Sequence, residues 1–296
     1  MRETVRNEKT SRMSSVERGL GWVVAVSAVL LGLLGTAPSV QARDPARVDA
    51  LREGAPQPQQ PGRFFRVTAS TGFDFSSGDF DTNTSTDVWY VPISIKLELD
   101  PIFFKVTVPY VVVDGDAVLI DGQPEGIPVS AGTRNGIGDV VIAAGYGYFP
   151  DGGLLPAVQL SGKVKLGTAD ENKGLGTGEE NYTIQLDLSK NIGPITPFAA
   201  VGYTFIGDPP DVNLDNKVFA SAGLSLSLGS RVSVGLAYDW AENAVSGRPD
   251  IHEISPFASI KLGDHFAIDP YALIGLSSSS PDWGAGMQLR VFWQRE

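Results

Sequence analysis

Lys163 and Lys165 stand two residues apart in Gln159-Leu160-Ser161-Gly162-Lys163-Val164-Lys165-Leu166, where apolar and polar positions alternate. Two ammonium groups on one face of an extended chain make a local positive patch that suits an organic anion. The same alternation puts Arg66, Lys96, Glu98 and Lys105 on the polar faces of their segments. It does so again for Asp187, Asp239, Lys261 and Arg290. Charges of both signs on one set of faces can form a constriction that selects solutes by size and charge. They can equally form ion pairs that brace a narrow interior. The two readings are compatible.

Covalent chemistry finds less support. His252 lies between Asp250 and Glu253 with Ser255 nearby. A hydrolase needs a base beside an activated serine and a third group to orient it. An odd spacing along a strand puts His252 and Ser255 on opposite faces, so they cannot act together. The second histidine, His265, falls in a short turn, and both read as ordinary surface residues. Gly136-Ile137-Gly138 is followed by strand-like rather than helical sequence, so it is no dinucleotide site. No cofactor, resident metal or catalytic residue is expected. A lipid-modifying enzyme and a structural or adhesive protein with a filled interior remain as alternatives.

The acidic residues gather between the apolar runs. They are Asp79 and Asp81; Asp114, Asp116, Asp121 and Glu125; Asp170, Glu171, Glu179 and Glu180; and Asp208, Asp211 and Asp215. Such oxygens could hold divalent cations against lipopolysaccharide phosphates. No loop has the spacing of an EF-hand, and a solvated acidic rim is the simpler reading.

The elements that position these residues are strands. After Arg63 nearly every segment alternates with period two, and none longer than about ten residues has helical periodicity. Twelve strands are expected, at 63–76, 85–98, 102–113, 138–149, 155–167, 180–190, 196–206, 217–228, 231–242, 251–262, 266–277 and 282–293. Short connections, such as Leu99-Asp100-Pro101 and Gly229-Ser230, alternate with longer ones, such as 114–137 and 168–179. The 114–137 stretch has the Gly and Pro content to fold inward.

In an outer-membrane barrel one set of turns is short and periplasmic and the other is long and external. Both mature termini are then periplasmic. Aromatics cluster at both strand ends. Phe64, Phe65, Phe103, Phe104, Phe149, Phe198, Phe266, Phe292 and Trp293 lie beside the short turns. Trp89, Tyr182, Tyr203, Phe205, Tyr238, Trp240 and Trp283 are among those beside the long loops. Two aromatic girdles around an aliphatic band fit a bilayer. A soluble sandwich would gather its aromatics at mid-core. Backbone polar groups in hydrocarbon have no water partner, so the sheet must close. The fold class expected is all-β: a transmembrane antiparallel up-and-down β-barrel of about twelve strands, residues 63–296.

The first 42 residues read as a signal peptide. Arg2, Arg6, Lys9, Arg12 and Arg18 precede an apolar run from Leu20 to Leu34, and Val40-Gln41-Ala42 offers a cleavage site. Residues 43–62 form a Pro/Gln-rich linker. Removing residues 1–42, with five basic and three acidic residues, takes the net charge from −11 to −13. That balance argues against nucleic-acid binding. The chain has no cysteine, so disulfides do not stabilise it.

The order of motifs carries a family resemblance. Asn135-Gly136-Ile137-Gly138-Asp139-Val140 precedes a strand ending Gly147-Tyr148-Phe149. Lys163-Val164-Lys165-Leu166-Gly167-Thr168-Ala169-Asp170 and Gly174-Leu175-Gly176-Thr177-Gly178 follow, then Phe198-Ala199-Ala200-Val201-Gly202-Tyr203. This order resembles the outer-membrane transporters grouped as the MetA-pathway of phenol degradation family. The resemblance covers most of 63–293, with its distinctive motifs in 135–205. It implies a Gram-negative outer-membrane barrel that passes small, often aromatic, organic solutes without chemistry. The surrounding partners would be outer-membrane lipid, lipopolysaccharide and the barrel assembly machinery. Many outer-membrane proteins end on an aromatic residue. Here Phe292-Trp293 is followed by Gln294-Arg295-Glu296, so the assembly signal would be read slightly inside the terminus.

Overall fold

A computed structural model describes residues 65–82, 84–120, 123–125, 132–150, 155–210 and 212–295. The expected signal peptide, linker and Phe64 lie outside the described residues. The strands are β1 (Phe65–Gly78), β2 (Thr86–Leu99), β3 (Ile102–Gly115), β4 (Val118–Ile120), β5 (Gln123–Glu125), β6 (Gly132–Ile137), β7 (Val141–Tyr148) and β8 (Ala157–Lys165). They continue with β9 (Asn181–Ser189), β10 (Ile195–Phe205), β11 (Lys217–Ser227), β12 (Val232–Ala241), β13 (Ile251–Lys261), β14 (Phe266–Gly275) and β15 (Trp283–Arg295).

Each long strand pairs antiparallel with its neighbours in sequence, and β1 pairs β15 from Phe65↔Arg295 to Ser77↔Trp283. The sheet therefore closes, and no edge is left to hydrocarbon. β6 and β7 both pair β3 and together make one stave, so the barrel has twelve. Between the pairs Thr107↔Val141 and Tyr110↔Ile137, β3 supplies two residues and the partner three. The extra residue is a bulge at 138–140 that exchanges the inward and outward positions of the stave. This corrects the expected fourth strand: it begins at Gly132, not 138, and is broken. The other expected strands agree to within about two residues. The 114–137 connection is correspondingly shorter and carries the small β4–β5 hairpin.

The two faces separate as the alternation requires. Ile93, Ile95, Leu160, Ile184, Leu224, Leu236 and Ile274 are exposed on the outside. A continuous apolar band around the whole circumference far exceeds the patches a soluble monomer tolerates. Phe65, Phe104 and Phe266 at the short-turn end and Tyr182, Tyr203, Phe205, Tyr238 and Trp283 at the loop end are exposed with it. Phe198 departs from its expected place in the girdle. It is buried with Phe257 and Tyr271 inside the barrel.

That inner aromatic set explains part of the glycine content. Phe198 is the register partner of Gly223, Phe219 of Gly202, Phe257 of Gly235, Tyr271 of Gly286 and Phe103 of Gly145. Each ring occupies the space a side chain would take on the adjacent strand. A Cβ on Gly235 would meet Phe257 Cζ at 2.2 Å and the Leu224 carbonyl oxygen at 2.7 Å. The rings thus lie across the wall, and those of Phe198 and Phe257, three staves apart, come to 6.1 Å between centroids. Phe103, expected in the girdle, is likewise on the inner face.

Candidate functional site: a charged lumen under a loop lid

The lumen is assembled from the inward positions of all twelve staves. At the short-turn end Glu98 sits between two cations, with Arg66 Nη1 at 3.7 Å and Lys96 Nζ at 3.6 Å. Lys96 is the register partner of Lys105, and Lys96 Nζ lies 5.0 Å from the centroid of Phe103. Four of the sequence-selected residues therefore form one cluster on β1–β3. Like charges placed directly opposite repel, and Glu98 offsets that repulsion.

Lys163 and Lys165 share a face but have different surroundings. Lys165 is buried, with its Nζ donating to Asp139 Oδ2 at 2.7 Å and to the Glu179 carbonyl at 2.9 Å. Asp139 Oδ1 in turn accepts from the amides of Thr168 (3.0 Å) and Ala169 (2.9 Å). Asp139 lies in the 138–140 bulge, so the bulge aims its carboxylate at the lysine and the loop together. Lys165 thus ties down the 166–180 loop. Lys163 Nζ instead lies 5.9 Å from the centroid of Phe219, which is on β11, three staves away.

The remaining charges also have distinct partners. Asp187 accepts from Gln185 Nε2 at 2.6 Å. Arg290 makes a two-pronged contact with Asp269, through Nε at 2.5 Å and Nη2 at 2.7 Å, and reaches Ser259 at 3.2 Å. Asp239 is the register partner of Glu253, and both are fully buried. Lys261 is exposed at the short-turn end of β13. Sequence reasoning did not select Asp74, Lys217, Glu253 or Asp269, all buried on inward positions. Tyr271 donates to Asp74 across Gly286. Their alternation with apolar neighbours was the signal available for them.

At the other end the loops fold over the lumen. Val88, Tyr90, Val111 and Val113, inward on β2 and β3, pack with Leu119, Ala169 and Leu175 from the loops. A second apolar cluster joins Ile120 to Ile206, Leu214 and Ala244. Thus β4 is wedged between the β2–β3 wall and the loops of β10–β13. Arg134 Nη2 donates to the carbonyls of Gly115 (3.3 Å) and Ala117 (2.7 Å), holding the start of that loop. Arg248 binds the Phe80 carbonyl at 3.0 Å and pairs with Asp81 at 3.6 Å.

Several loop acids are tied into the same framework. Asp208 caps the Leu214 amide at 2.7 Å, Asp215 accepts from Ser246, and Asp170 caps a single 3-10 turn at Glu171–Lys173. His252 is bonded through Nδ1 to the Tyr238 hydroxyl at 2.6 Å on the outer face, while Ser255 is buried inside. The two do not meet, as their odd spacing requires.

Residues 59–292 match the family model described as "Putative MetA-pathway of phenol degradation". The chain belongs to that family. Among solved structures, the COG4313 outer membrane channel from Pseudomonas putida F1 superposes with a TM-score of 0.58 at 12% identity, covering 80% of this chain and 98% of that one. The NanC porin gives 0.48 at 8% identity, covering 78% of this chain and all of that one (100%). No curated protein matches the sequence. At such identities the likeness is one of fold. This member of the phenol-degradation family has the fold of an outer-membrane channel: a closed twelve-stranded antiparallel barrel.

Proposed function

We propose that this protein is a passive outer-membrane channel for small organic solutes, without catalytic activity. The observation that carries the reading is the closed sheet's division into an apolar outer band and an inner face of charges and aromatic rings. Polar residues of both signs offer a solute partners along the lumen, and the rings offer an aromatic body a surface. The long loops face outward and both mature termini lie in the periplasm, as short and long connections are distributed in such barrels. The exposed girdles meet lipid and lipopolysaccharide. The assembly machinery reads β15 through Phe292-Trp293. Lys96, Lys105 and Lys163 contact anionic solutes, with Arg66, Glu98, Asp187, Asp239, Lys261 and Arg290 completing the polar path. Lys165 sits at its edge as the loop tether.

A second reading, a structural barrel with a filled lumen, draws on the loop clusters that cover the inner wall. Efflux of benzenesulfonate, an aromatic anion that does not cross lipid unaided, separates the two. Vesicles carrying the refolded chain from Arg43 should lose it faster than protein-free vesicles, and Lys163→Ala should slow the loss several-fold. Equal rates with and without folded protein would favour the filled barrel.

A further inference from the structure

Asp79-Phe80-Asp81-Thr82 makes a tight turn just beyond β1. The Thr82 amide donates to the Asp79 carbonyl at 2.8 Å, and both central residues have positive φ, 47° at Phe80 and 57° at Asp81. Two positive values under such a bond are the pattern of a type I′ turn, which favours Asn-Gly. A bulky side chain in that conformation is a true outlier. Strain of this kind persists only where the surroundings fix it, and it gathers at switching segments.

The Phe80 ring is turned inward. Side chains on the outer face at this end, such as Tyr238 and Trp283, are exposed. Phe80 is only 2% exposed, so it lies beneath the loops rather than against lipid. What fixes the turn comes from further round the ring, where β13 is followed by β14, β15 and β1. Arg248, in the loop between β12 and β13, donates from Nη1 to the carbonyls of Phe80 at 3.0 Å and Asp81 at 3.4 Å. The same nitrogen lies 3.6 Å from Asp81 Oδ2. Ser278, between β14 and β15, donates to Asp81 Oδ1 at 3.4 Å. One guanidinium nitrogen thus contacts both residues of the strained pair. The loop that carries it is itself braced. Asn243 donates to the Pro249 carbonyl at 3.2 Å, and the Val245 amide donates to Asn243 at 2.8 Å. Ala244 and Val245 pack with Ile120, Ile206 and Leu214, which joins Arg248 to the lid.

We infer that Arg248 is the latch of a gate at the outer mouth. While it holds Phe80 and Asp81, the Phe80 ring narrows the opening beside β1 and β2. When it lets go, the strained turn relaxes outward and the opening widens. The Arg248 and Asp81 side chains are 20% and 41% exposed. An ion pair so open to water contributes little by itself, so an unstrained turn would barely respond to its loss. The inference deepens the channel reading by naming a gate, and it rests on that reading for what passes.

The test uses the refolded chain from Arg43 with two readouts: amide hydrogen exchange of residues 79–82 in detergent, and benzenesulfonate efflux from vesicles. Arg248→Met keeps the apolar stem and removes every donor. It should speed exchange at 79–82 roughly tenfold, because local opening sets that rate, and should raise efflux several-fold. Phe80→Ala should raise efflux with Arg248 in place. Wild-type exchange in Arg248→Met would overturn the latch. Faster exchange with unchanged efflux, in a protein whose wild-type form passes benzenesulfonate, would overturn the gate and leave the channel reading standing. Efflux at the protein-free rate from the wild type and both variants would sink the channel reading, and the gate with it.

Discussion

Lys163 and Lys165 show what one residue of separation along a face can hide. Alternation puts both inside, yet Lys165 is spent on Asp139, and the two pair side chains are only 7% and 9% exposed. Removing one partner of a buried pair leaves the other charge uncompensated, at a cost of roughly 3 kcal/mol. Asp139→Ala should therefore free the 166–180 loop. Limited proteolysis should then cut there, while Lys163→Ala leaves the wild-type pattern. Face was legible in the sequence, but partners were not, because they come from segments that fold together. Glu253 is 14 positions from the Asp239 it opposes, and Asp74 is 197 from its Tyr271. Phe198 illustrates a different gap. Height along a strand and face are separate coordinates, and closeness to a turn gives height alone. On β10 the even positions point inward, so Phe198 falls inside beside Gly223. Gly235→Val should push Phe257 off its glycine and destabilise the folded barrel by about 1–3 kcal/mol. Urea unfolding from vesicles, compared with wild type, measures this directly.

Strands were the most legible elements, because a half-buried sheet between lipid and lumen forces strict alternation. The one misplaced stave is β6–β7, where the bulge at 138–140 shifts the alternation by one residue. A period-two pattern that changes phase reads as loop on one side of the break, so alternation alone starts the strand at 138, at the bulge itself. The bulge has a use: it brings the Asp139 carboxylate to the loop tether. The Gly and Pro content of the 114–137 stretch permits an inward fold, but does not say where its described start, 116–120, lands. It lands on Val88, Tyr90, Val111 and Val113 through Leu119. Leu119 and Leu175 are each 2% exposed, so a charge placed at either would be buried without a partner and would break the contact. Leu119→Asp with Leu175→Asp should loosen the lid and raise benzenesulfonate efflux several-fold over wild type. An unchanged rate would mean that solutes do not pass the lid.

For the whole molecule, apolar outside and polar inside make an inverted arrangement that only hydrocarbon stabilises. The twelve-stave ring is wide enough for a lumen, but Lys163 reaching Phe219 and Phe198 reaching Phe257 across three staves narrow it. A small, selective conductance is therefore expected rather than a porin-like one. Single-channel recording in a planar bilayer tests this most directly, using the refolded wild-type chain and the Leu119→Asp/Leu175→Asp variant side by side. Discrete ion-conducting steps should appear in the wild type and grow larger or longer-lived in the variant. Silence from both, with each protein folded and inserted, would contradict an open lumen beneath a movable lid.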